Sequence, residues 1–336
     1  MSTQSFQPAP LMKRDQVSFV AWWGIGGFTV LAIITALLTP VIQARFYPLL
    51  PDQGPAWYYW KLPESTTLIR ISYWGGYIVH QVVVWAMFFA GRRSVPAPGQ
   101  VNKFHRWMLG LNLLFVGLHL VQTYFFYDGL AQDVPIWTSQ GSVIIMLVLV
   151  LYMMIPKRGL FFGRRFDPPA RLLNLTNKWH GIIISWALVY TFWFHPMEGN
   201  WGMLSGFIYM FLLFIQMSLF NTSLHLNKVW IVLLEVFVAV HGTLVTVYKG
   251  NAIWPMFLFG FLIMFVVTQM HTPGIPKLLR VVFGVSFLVA VVGVYTFIRG
   301  WDRWFELTFI PVALYGGAMG MVLVGWIWEK LVPVRE

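Results

Sequence analysis

Apolar stretches of about 20 residues recur along nearly the whole sequence, separated by short polar or basic segments. At about 1.5 Å of rise per residue, each stretch is long enough to cross the hydrocarbon of a bilayer as an α-helix. Inside lipid no water is present to satisfy backbone N–H and C=O groups, so a chain built this way must pair them within helices. The expected fold is an all-α, polytopic membrane bundle of about ten transmembrane helices. The spans fall near residues 17–43, 67–90, 104–127, 137–155, 177–195, 202–220, 228–248, 252–270, 278–298 and 305–328. A single transmembrane domain, 17–328, then takes up almost all the residues, with short tails at 1–16 and 329–336. Composition agrees: 58% of residues are hydrophobic and 10% charged, against about a quarter charged in soluble domains. The first stretch is too long for the core of a signal peptide and lacks a small-residue cleavage pattern, so it reads as a retained span.

The 23 lysines and arginines orient the bundle. With the N-terminus in the cytoplasm, 17 of them fall on the inner side and six (Arg45, Lys61, Arg70, Lys249, Arg299, Arg303) on the outer. The positive-inside rule then places both termini in the cytoplasm of an inner or plasma-type membrane. On that reading the net charge of +11 is a topology signal and an attraction to anionic lipid, with no nucleic acid as partner. Residues 46–65, with Trp57, Tyr58, Tyr59 and Trp60, read as an interfacial aromatic segment on the outer side. The absence of cysteine excludes disulfides, thiolate metal sites, iron–sulfur clusters and covalently attached haem.

Histidine placement carries the sharpest chemical signal. His105 and His119 are fourteen residues apart on span three, and His180 and His195 fifteen apart on span five. Fourteen residues make nearly four helical turns, so the first pair shares a face over about 21 Å; fifteen residues turn the second pair about 60° out of line. The two spans run in the same direction, which sets His105 level with His180 and His119 level with His195. Between them lie modest side chains (Leu109, Asn112 and Val116; Ile184, Ala187 and Thr191), while Trp186, Tyr190, Phe192 and Trp193 fall off the stripe. The bland alternative is four satisfied histidines at helix ends that happen to align.

This spacing, over residues 105–195, resembles that of the transmembrane di-haem b-type cytochromes, namely cytochrome b and the ferric reductase-like membrane domains. The resemblance implies haem b held by His105 with His180 and by His119 with His195. It also implies an electron-transfer role, with a quinone or a cytoplasmic electron donor as redox partner. The glycines that relieve haem crowding in those families are not on the histidine faces here, where only Ala187 is small, and ten spans with four further histidines exceed the family pattern.

Other polar residues at depth suggest a different reading, a membrane-embedded enzyme acting on a lipid-borne substrate. Arg70 and His80, in RISYWGGYIVH, resemble the arginine–histidine element of ten-span membrane acyltransferases. His80 or His241 would serve as a general base with Glu198 or Glu235 nearby. Glu235 lies a third of the way through span seven, where a buried carboxylate must be paired or protonated. His241, six residues on, is on the other side of that helix and is not its partner. Gln122, Gln140, Ser142, Gln216 and Gln269 extend a polar seam suited to a quinone, a proton path or a lipid headgroup, and equally to interhelical hydrogen bonding. A structural or transport subunit associated with other membrane subunits is the remaining class.

Overall fold

The computed structural model describes residues 14–46, 48–50, 61–91, 101–127, 129–195, 197–250, 252–272 and 274–332. The tryptophan- and tyrosine-rich part of the 46–65 loop and the outermost tail residues lie outside these. The described residues form ten α-helices and no strand: α1 Arg14–Phe46, α2 Thr67–Gly91, α3 Lys103–Phe126, α4 Ile136–Arg158, α5 Ala170–Phe194, α6 Trp201–Ser218, α7 Lys228–Tyr248, α8 Trp254–Val267, α9 Lys277–Val294 and α10 Phe309–Leu331. Eight of the spans are long and apolar enough to cross a membrane by length and composition. The other two helices, α2 and α5, carry more polar groups and pack against each other. Large apolar side chains cover the outside of α1, α9 and α10, as expected of helices that face lipid. The protein is a multi-pass membrane protein.

Local chemistry sets the helix ends. Asn200 Oδ1 accepts from the Met203 amide at 2.9 Å, and Asn227 Oδ1 from those of Val229 and Trp230, side-chain caps that satisfy the free N–H groups of a first turn. At the start of α3 the His105 ring does the reverse, its Nδ1 accepting from the Asn102 amide at 3.0 Å. Helix α4 runs through Pro156 to Arg158 and stops at Gly159, whose φ of +84° suits glycine. Helix α5 begins seven residues earlier than its apolar run indicates, directly after Pro168 and Pro169. This shortens the basic loop and lays Arg171 and Lys178 on the helix.

Helices α2, α3, α6 and α5 form a ring in that order, with α1 packed on α3 and α6. Helices α3 and α5 therefore face each other across the ring and meet through side chains. The largest core cluster fills this ring, with Phe192, Trp193, Phe207 and Phe214 all buried. A second group, α4, α8 and α10, has its own smaller core around Tyr152, Ile155, Met264 and Leu314. The groups join where α4 packs on α5 and α7 packs on α6. Contacts among the helix ends are mutually consistent: the starts of α3 and α5 meet the end of α6, and the end of α5 lies near the end of α1. The first of these ends, which holds most of the lysines and arginines, is called the basic end below.

Candidate functional site

The expected carboxylate is the best anchored feature of the interior. Glu235 on α7 is 8% exposed and accepts two hydrogen bonds from the Arg158 guanidinium on α4, Nη1 to Oε2 at 2.5 Å and Nη2 to Oε1 at 2.7 Å. This two-pronged geometry is the strongest form of carboxylate pairing. Helices α4 and α7 make no extended backbone contact, so the ion pair is the brace between them. Arg158 reads in sequence as one more basic residue at a loop edge; the continuation of α4 beyond Pro156 carries it into the interior.

Beside this brace, α4, α5, α6 and α7 enclose a cavity of about 480 Å³, a volume suited to a small organic ligand. Its walls are apolar, from Met146, Met153 and Met154 on α4, Ile184 on α5, Leu213 on α6 and Leu234 on α7. Its polar lining comprises Lys157, Asn177, His180, Ser185, Tyr209, Gln216, Asn221, His225 and Glu235. The His180 and His225 ring centroids are 6.5 Å apart. His180 Nδ1 lies 2.8 Å from the Asn177 carbonyl oxygen and His225 Nδ1 3.0 Å from that of Gln216. His225 is in the loop after α6, where burial pulls its pKa down to about 4 against the pull of the Gln216 carbonyl. It is neutral at physiological pH.

The other histidines sit differently. His105 uses both ring nitrogens on backbone: since Nδ1 accepts from Asn102, Nε2 carries the proton and donates to the Phe220 carbonyl oxygen at 2.9 Å. His80 is equally committed. Trp193 Nε1–H can only donate, so it gives to His80 Nδ1 at 3.2 Å; His80 Nε2–H then gives to Asn112 Oδ1 at 3.1 Å, and Asn112 Nδ2 to Ser218 Oγ at 2.9 Å. Arg70, ten residues before His80, pairs with Asp133 at 3.1 Å, an acid that also accepts from Tyr73 and Trp74 at 2.7 and 2.9 Å. Burial raises the Asp133 pKa, but the bonds from Trp74 and Tyr73 and the Arg70 charge outweigh it and leave it below the usual value. Arg70 and His80 therefore share no site.

His119 is 1% exposed, its ring 4.8 Å from that of Phe192, 4.7 Å from Trp193 and 6.5 Å from Phe207. Among the described residues neither nitrogen makes a hydrogen bond of ordinary geometry, and the Gln122 side chain, three residues on, is the polar group beside the ring. His195 packs on the other side of Phe207 at 4.5 Å and lies 5.9 Å from His241; a Cβ at Gly206 would come within 2.2 Å of its Nε2. His241 Nδ1 reaches Ser205 Oγ and the Gly202 carbonyl oxygen, at 3.1 and 3.2 Å. Glu198 is in the loop beyond His195, at the end opposite the basic one.

The structure thus brings His180 to His225 and His195 to His241, pairs that join α5 to the α6–α7 loop and to α7. The expected slot of modest side chains between α3 and α5 is filled: α5 turns Phe192 and Trp193 toward His119, and Trp193 lies directly on Gly76 of α2. Phe192 and Trp193 pack against the His119 ring, and both His105 nitrogens are bonded to backbone. Among the described residues no three His, Asp or Glu side chains gather as a metal site. Comparison with family models, with curated proteins and with solved structures gave no match.

Proposed function

We propose that this protein binds a membrane-borne amphiphile in the α4–α7 cavity, with the apolar tail along the methionine-rich wall and the polar head at the imidazole pair near the basic end. The observation that supports this reading is the cavity itself: about 480 Å³ of apolar-walled space beside a buried ion pair, with two imidazoles in its lining. Amphiphiles with a ring or small head, quinone-class molecules among them, match that division of polarity. Any chemistry on a lipid-borne substrate would belong here, because His180 and His225 are the histidines whose Nε2 is uncommitted beside open space, whereas both His80 nitrogens are spent on structure.

The test is photolabelling with a diazirine-tagged long-chain alkyl phenol in nanodiscs. Label is expected on the α4 and α7 peptides that contain Met153, Met154 and Ile231, competed by untagged compound and suppressed by Val150→Trp, which fills the cavity. Label spread over α9 and α10 and indifferent to that variant overturns the reading.

A second reading, ligation of haem b, is favoured by the deep burial of His119 among aromatic rings with no hydrogen bond of ordinary geometry to either nitrogen. His119 with His195, and His180 with a second imidazole, would then hold the group, which would supply one-electron chemistry. It requires Phe192 and Trp193 to leave their present positions. A reduced-minus-oxidised absorption spectrum of the purified protein decides it: a sharp α-band supports haem, and a flat difference spectrum removes it.

A further inference from the structure

The cavity's hydrogen-bonding pattern identifies the chemistry of the head it takes, an inference that rests on the amphiphile-binding reading above. A carbonyl oxygen only accepts, so the contacts of His180 Nδ1 with Asn177 and of His225 Nδ1 with Gln216 put the proton on Nδ1 in both rings. A neutral imidazole has one N–H, and each Nε2 is therefore left as a lone-pair acceptor. Among the described residues no hydrogen bond reaches either Nε2. The neighbouring amide does not supply one: Gln216 Oε1 accepts from Trp230 Nε1 at 2.7 Å, and its Nε2 donates to the His225 carbonyl oxygen at 3.2 Å. The lining thus includes two acceptors from rings 6.5 Å apart that only a donor can satisfy, beside donors that an oxygen can use, Lys157, Asn177, Tyr209 and Asn221.

A bare carbonyl or an ether oxygen meets the two lone pairs with lone pairs of its own. A phosphate dianion has no proton to donate to the imidazoles, and its monoanion has one but carries a charge into an apolar-walled cavity. A hydroxyl answers both demands, since its O–H donates to an imidazole while its oxygen accepts from the lysine. We infer that the occupant carries a hydroxyl head, as a hydroquinone, phenol or long-chain alcohol does, and that the site prefers it over the corresponding quinone, ether or phosphate.

The experiment measures the affinity of the full-length protein in nanodiscs for decylhydroquinone under anaerobic conditions, for decylbenzoquinone and for the dimethyl ether of the hydroquinone; decanol and decyl phosphate extend the series. The hydroquinone is expected to bind about tenfold more tightly than the quinone or the ether, the ratio that one lost hydrogen bond produces. Decanol binding more tightly than decyl phosphate would show that the preference belongs to the hydroxyl and not to the aromatic ring. His180→Phe and His225→Phe should each lower the ratio of hydroquinone to quinone affinity, which is read as a ratio because both rings line the site for every compound. Should these variants fail to fold, the wild-type series decides alone. Equal or tighter binding of the quinone overturns the hydroxyl inference and leaves the cavity reading standing. Failure of every compound to bind overturns both.

Discussion

The α2–α3–α6–α5 ring and the α4–α7 cavity are neighbours that share α5 and α6, and His80 in the ring is held on both nitrogens while His180 and His225 in the cavity lining are each held on one. In the ring, space is filled by aromatic side chains, and the Trp193–His80–Asn112–Ser218 chain runs in one direction with each step fixed by its donor. In the cavity lining, two imidazoles are each held by a backbone carbonyl at Nδ1. A histidine held on both nitrogens has no lone pair or proton left to offer, whereas one held on a single nitrogen keeps the other for a ligand or water. The difference teaches that histidine depth in the bundle says little about role, and that the partner of each nitrogen says much more.

The largest expected effect tests the brace between α4 and α7. Glu235→Ala or Arg158→Ala leaves a buried charge unpaired and should cost about 3–5 kcal/mol, read as a fall in thermal midpoint in detergent. The double variant Arg158→Met with Glu235→Leu should recover most of that loss, because an apolar pair of similar volume also removes the desolvation penalty. A double variant as unstable as the singles would mean that the pair does more than hold α4 to α7.

Two substitutions in the filled ring come next, each expected to cost about 1–3 kcal/mol. Gly76→Ala places a Cβ 2.2 Å from the Trp193 ring, where packed aromatic neighbours have little room to yield. Asn112→Leu breaks the polar chain and strands the His80 Nε2–H without an acceptor. Both should lower the thermal midpoint without changing ligand affinity in the cavity. A loss of binding beyond the loss of stability would show that the two regions are coupled.

Much of this was legible in the sequence, and what was not has physical causes. Apolar run length is set by bilayer thickness, so the spans could be read to within a few residues except where α5 starts early at its prolines. The depth of Glu235 required a partner or a proton, and it has a partner. Arg158 was hidden because charge alone does not tell a loop-edge arginine from the last residue of a helix that continues past Pro156. For the histidines, spacing gives level and relative azimuth on one helix. It does not give the rotation of one helix against another, and that rotation turned Phe192 and Trp193 toward His119. His225 had no signal beyond being a histidine at a span end; its place beside His180 depends on the path of the loop after α6.

The smallest effect concerns the end opposite the basic one. Because the folded Asp133 carboxyl has a lowered pKa, its contribution is present above the unfolded value and is lost as pH falls through the folded one, a window below about pH 4. Stability measured from pH 6 to 3 should therefore show an acid limb that Asp133→Asn flattens, while cavity binding at neutral pH is unchanged.

The central claim is that the α4–α7 cavity, and not the space between α3 and α5, is the site. A high-resolution density map of the protein in native lipid tests it most directly. The account predicts an elongated density along Met146, Met153 and Met154, its head within hydrogen-bond distance of His180 and His225, and Phe192 and Trp193 packed against His119 as described. A map with that cavity collapsed or holding only water, or with planar macrocycle density between α3 and α5, would contradict it.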